Sequence, residues 1–323
     1  MRLRIALPLA ASALALLLAC DDGLEPVTPP KPEPPPVTTP PPTGPDPSLP
    51  AFLLDHIASP VRAVATGTGR LLVADSRLRM VVRVDPASLQ PDQGLRIAGK
   101  PSAVAILDQR IYVGNPDRQT VEIYRAQGGG SAGSFGSGAV AYPSDIAVDP
   151  GRGLVFVVDG RSQQVRVFTA TGALVQVIGA PGPGTNQFLA PIGIAVDTAR
   201  QEVLVSDYGA PPTVKAAVKI FRYDGSYVDQ ISGAGRCAGS GCSGGFSRPQ
   251  GLAVSRLGKI FLADALLGQI LVYDRAAKTL DRVLGGYPTL YVPVDVVIGK
   301  NDDVFVVSKL TARVVLFPAA ASQ

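Results

Sequence analysis

From residue 60 onward the apolar positions fall into short runs rich in Val, Ile, Leu and Phe, separated by Gly, Asp, Pro and Ser. Short β-branched runs bounded by turn formers predict strands rather than helices. The runs are grouped, and each group opens on a Pro with an apolar alternation: PVRAVA (Pro60), PSAVAI (Pro101), PSDIAV (Pro143), PIGIAV (Pro191), PQGLAV (Pro249) and PVDVVI (Pro293). A second run follows in each group and ends at Asp75, Asn115, Asp159, Asp207, Asp264 or Ser308, 14 to 16 residues after the Pro. Third runs come next, VVRVD, VEIYR, VRVFT, VKIFR, ILVYD and VVLFP. Weaker fourth runs, such as ALVQVIG and YVDQIS, precede the next Pro.

Successive prolines lie 41, 42, 48, 58 and 44 residues apart. Four strands repeating at this period predict an all-β, six-bladed β-propeller. The sixth group ends at Phe317 without a fourth strand, and AFLLDHIAS at the start of the repeat region has no blade of its own. Residues 51 to 57 are therefore expected to pair with blade six and close the ring, which removes the open edges a sheet would expose.

The repeat resembles the NHL repeat across residues 51 to 317, most clearly in GPGTNQFLAPIGIAVD with VLVSDYG and in SGGFSRPQGLAVS with IFLADALLGQILVYD. NHL units tend to carry Arg or Lys five residues after the Asp. Here only Arg313 does, against Met80, Thr120, Gln164 and Gln269. The resemblance implies an interaction platform for a protein or an anionic envelope polymer. Six-bladed relatives also include lactonases and lyases with a metal at the channel mouth, so a metal-dependent enzyme of that kind is the alternative.

Residues 1 to 19 have a basic start and an apolar stretch of secretory-signal length. Leu17-Leu18-Ala19-Cys20 resembles the lipobox of bacterial lipoproteins, which implies that Cys20 becomes the acylated first residue of the exported chain. Membrane contact is expected through that lipid only. From Pro26 to Pro50, 13 of 25 residues are Pro. Such a segment settles into extended polyproline II, so residues 20 to 50 are read as a stalk and residues 51 to 323 as the propeller.

Composition narrows the chemistry. One His and three Cys leave little for a zinc site or a Ser–His–Asp mechanism. His56 is read as part of the closing strand. Cys237 and Cys242, in CAGSGC, are read as a disulfide closing a glycine-rich loop of an exported domain. The GxSxG and GxGxxG matches in GGGSAGSFGSG lead from no parallel strand into a helix, so they are discarded and that segment is read as a flexible linker.

Setting aside Arg2, Arg4, Lys31 and the five acids before residue 51 leaves 27 basic against 21 acidic residues. Without long basic runs, nucleic acid is not an expected partner. In a propeller blade the entry to strand one and the turn between strands two and three share an end. That end collects Arg62, Arg77, Arg118, Arg161, Arg248 and Arg313, a candidate face for anions. Asp145 and Asp295, each two residues after a Pro in opposing blades, are weak candidates for a hard cation such as calcium. No other cofactor is expected. The recurring Asp at the strand-two ends is read as a turn cap.

Overall fold

The computed structural model describes residues 51–52, 57–86, 90–232, 236–237 and 245–319. The expected signal segment, stalk and Cys20 lie outside these residues, as do His56 and Cys242 and the side chain of Cys237.

The six groups form six antiparallel sheets in a ring, an all-β six-bladed propeller. In each blade the strands that follow the Pro are neighbours in chain order, and the one that begins at the Pro is innermost. In blade three these are Pro143–Asp149, Leu154–Asp159, Gln164–Thr169 and Leu174–Ile178. The inner strands of adjacent blades pack side by side around the axis, blade six against blade one included. Ala51–Phe52 supplies the missing strand of blade six, with Ala51 opposite Leu316 and Phe52 opposite Val315. The ring is closed where the sequence predicts.

Both faces of each blade are covered by its neighbours, and this explains the continuous apolar second strands. Leu71–Asp75 and Val304–Ser308 are buried at every position. The outer strands meet water, as in Leu174–Ile178, where Leu174 and Val175 are exposed and only Ile178 is buried. The cores accordingly lie between blades. Val73, Val84, Val307 and Val314 fill the seam between blades one and six. Phe156, Phe188 and Phe221 fill the seam between blades three and four, with Phe188 and Phe221 at a ring separation of 5.3 Å.

Two expectations are corrected. The segment GGGSAGSFGSG is no linker, because Ser131–Phe135 within it is the outer strand of blade two and pairs with Thr120–Arg125. An outer strand needs only its backbone to join the ladder, so a run without apolar side chains suffices when Phe135 alone reaches the core. Blade five also carries a fifth strand, Arg236–Cys237, parallel to Thr279–Gly285.

Candidate functional site

A local irregularity at the start of the inner strands builds the axial site. In blades one, three, four, five and six the pairing register shifts just after the Pro. A bulge of this kind re-aims the next side chain. The residues two after the six prolines are Arg62, Ala103, Asp145, Gly193, Gly251 and Asp295, and the three charged ones meet on the axis.

Arg62 is 6% exposed. Its Nη1 donates to the carbonyls of Val61 and Val294, both at 2.9 Å, and its Nη2 donates to that of Ile192 at 3.2 Å. Nε has no hydrogen-bond partner and faces Asp145 Oδ1 at 3.2 Å as an ion pair. One side chain from blade one therefore touches blades three, four and six. The two carboxyls act in the same sense around the ring. Asp145 Oδ2 accepts the Ile194 N–H of the next blade at 3.0 Å, and Asp295 Oδ2 accepts the Ala63 N–H of the next blade at 2.8 Å. Oδ1 of Asp145 also accepts the Ile146 N–H at 2.9 Å.

The small residues of the column make room for the large ones. A Cβ on Gly251 would stand 2.0 Å from Asp295 Oδ1, and one on Gly193 would stand 2.4 Å from the Gln250 carbonyl oxygen. Burial pushes Asp295 up to about 7, with the Arg62 charge opposing and the Asp145 charge adding. Burial raises Asp145 in the same way against Arg62. Burial alone would lower Arg62, but the two carboxylates hold it above its ordinary value.

The sequence placed Arg62 on an exposed face, and the structure moves it into the channel. Asp145 and Asp295 are brought to one place, as expected of opposing blades, but around that guanidinium. Asp145 Oδ1 faces that guanidinium, and both carboxylates accept backbone N–H groups of inner strands. Among the described residues no group of three or more His, Cys, Asp or Glu is placed to hold a metal.

Above the charged plug, at the end where the inner strands begin, lies an open bowl of about 610 Å³ lined by Arg62, Lys100, Ser102, Asp117, Tyr142 and Lys309, among others. Lys100 and Lys309 are exposed. Lys100, one residue before Pro101, joins the expected face residues. On the surrounding rim Arg77, Arg161 and Arg248 are exposed. Arg118 pairs with Glu122 at 3.1 Å, and Arg313 is half-buried. The strand-two acids are caps. Asp75 accepts the N–H groups of Ala58, Ser59, Arg77 and Leu78, and Asp264 does the same for Ser247, Arg248, Leu266 and Leu267.

The opposite end differs in charge arrangement. There Arg152 pairs with Asp149, Arg200 and Arg275 with Asp197, and Arg256 with Asp302. These four cations are matched, whereas Arg77, Lys100, Arg161, Arg248 and Lys309 on the bowl side have no ion pair among the described residues.

No protein-family model matches the chain, and no curated protein matches it. Solved structures do. A chain of the Kuenenia stuttgartiensis hydrazine synthase is 13% identical, with a TM-score of 0.61 over 82% of this chain and 97% of that one. A chain of a nidogen/laminin complex is 17% identical, with a TM-score of 0.64 over 79% and 90%. The Xanthomonas campestris gluconolactonase XC5397 is 16% identical, with a TM-score of 0.63 over 83% and 88%. At such identities the likeness is one of fold, and the chain is a six-bladed β-propeller by geometry.

Proposed function

We propose that the propeller is a binding platform of NHL type, exported and held at a bacterial membrane by a lipid on Cys20, and that its bowl end receives an acidic envelope protein or an anionic envelope polymer. The observation that carries this reading is the unmatched positive charge of one end. Arg77, Lys100, Arg161, Arg248 and Lys309 are exposed there without a side-chain ion pair among the described residues. Asp117 is the one exposed acid described on that end. Single-signed charge around a concave opening focuses field and speeds the arrival of anions. The lactonase- or lyase-like alternative would need a metal at the channel mouth, where Arg62 pairs with Asp145.

The test is binding of the full chain to heparin, a soluble polyanion, followed by fluorescence anisotropy across a salt series. Affinity is expected to fall steeply with salt and to drop about tenfold or more in Lys100→Glu/Lys309→Glu, with charge reversal of Arg256 and Lys300 at the other end having little effect. Equal losses from the two ends would refute a directed face. Labelled palmitate incorporated by the wild type and not by Cys20→Ala tests the anchor.

A further inference from the structure

Arg62, Asp145 and Asp295 close the channel, and they close it asymmetrically. The guanidinium lines the bowl, whereas both carboxyls line a second cavity of about 230 Å³ on the other side of the plug. The walls of this shaft are apolar. Val64, Ala105, Ala147, Ala195, Ala253 and Val297 occupy one equivalent place, four residues after each blade's Pro, and all six line it. Its volume lies below the roughly 300 Å³ at which pockets for drug-sized ligands begin. Alanine at four of the six places keeps it narrow but open.

Charge at the floor of the shaft is out of balance. Two ionised carboxyls against one guanidinium leave a single negative charge where Asp145 and Asp295 are each 5% exposed. A buried net charge is unfavourable unless something matches it. No cationic side chain lines the shaft, and the other three members of the axial column, Ala103, Gly193 and Gly251, carry no charge. We propose that the shaft is a binding site for a small primary aliphatic amine, its ammonium seated on Asp145 and Asp295 and its alkyl chain against the alanine walls.

The chemistry matches on each count. An alkylammonium has three donors for the carboxylate oxygens and supplies the missing positive charge. Its methylenes leave water for an apolar wall. A fatty acid of the same length would bring a like charge to the floor, and an alcohol would leave the charge unmatched. A proton on Asp295 meets the same deficit, so proton and amine compete. The charged groups facing Asp295 are Arg62 from blade one and Asp145 from blade three, while the inner strands of blades two, four and five present none.

The test is calorimetric titration of the full chain with n-butylamine, n-pentylamine and n-hexylamine at about pH 8 and about pH 5.5, with 1-hexanol and hexanoate as controls. Affinity is expected to rise roughly fourfold per methylene. It should weaken more than tenfold at the lower pH, where the proton holds the site, and disappear in Asp295→Asn. Ala253→Leu fills the shaft without altering the three charged groups, and it should also abolish binding. That variant keeps the test decisive where Asp295→Asn fails to fold. Hexanol binding as tightly as hexylamine would overturn the proposal. So would amine binding that either folded variant retains, or no amine binding at millimolar concentration. The site lies on the opposite side of the plug from the bowl, so these outcomes are independent of heparin binding.

Discussion

At the scale of single residues, the most legible chemistry was the most repetitive. Asp159 recurs in form at three other strand-two ends, and its carboxylate accepts the N–H groups of Ala141, Tyr142 and Ser162 at 2.9 to 3.1 Å. Burial works against its charge, but these donors hold it below the usual carboxylate range. Asp159→Ala leaves three amides without their acceptor and is expected to destabilise the fold by about 3 kcal/mol or more. Asp159→Asn keeps one acceptor oxygen and should recover part of that in chemical denaturation. Equal stability of the alanine variant and the wild type would show the cap to be dispensable. Arg62 was harder to read because a lone Arg after a Pro looks like any rim cation. Its role emerges only when the six residues two after each Pro are read as one column, in which Arg62, Asp145 and Asp295 share the axis with Ala103, Gly193 and Gly251, which are too small to fill it.

At the scale of elements, the inner three strands of each blade were visible because burial on both faces demands unbroken apolar runs. The outer strands were fainter, with ALVQVIG and YVDQIS legible but others not, since one face is solvated and the backbone supplies the pairing. Ser131–Phe135 shows the limit: it carries two Ser, an Ala and a Gly ahead of one anchoring Phe. The closing strand was legible by subtraction, from one blade a strand short and one segment left over. Its removal is a test of closure. A chain beginning at residue 57 exposes the edge of Arg313–Phe317, and an unpaired edge is a site for association. Its melting temperature is expected to fall by several degrees and its tendency to self-associate to rise, as followed by thermal unfolding and sedimentation. An unchanged chain on both counts would show that Ala51–Phe52 contributes nothing to the ring.

At the scale of the whole molecule, the channel plug links stability to pH. Asp295 titrates at about 7 in the fold and at about 3.9 in an unfolded chain. Between those values the folded state holds the extra proton, so this group's contribution is greatest at low pH and declines as pH rises toward about 7. The caps act in the opposite sense: the contribution of Asp159 is complete above about 3.9 and is lost only as pH falls through its lowered folded value. Between about pH 5 and pH 8 the Asp295 effect should therefore dominate. The melting temperature of the wild type is expected to drop across that interval relative to Asp295→Asn, and parallel curves would show that the carboxyl does not titrate there.

The sequence by itself determined the architecture, because a propeller is a sum of local decisions. Each blade is an up-and-down sheet of adjacent strands, its turns are set by Pro, Gly and Asp in place, and its apolar runs record burial on two faces. Repetition made each of those decisions readable six times. The site was decided only by the tertiary structure, because the ring brings together residues that no local pattern relates. Arg62 and Asp295 lie 233 positions apart in the chain and meet across the closing seam. The division of the channel into a cationic bowl and an apolar shaft with a carboxylate floor follows from which side of the plug each charged group faces. That is a matter of bulges at the inner strands and of packing around an axis, neither of which is written in the order of residues along one blade.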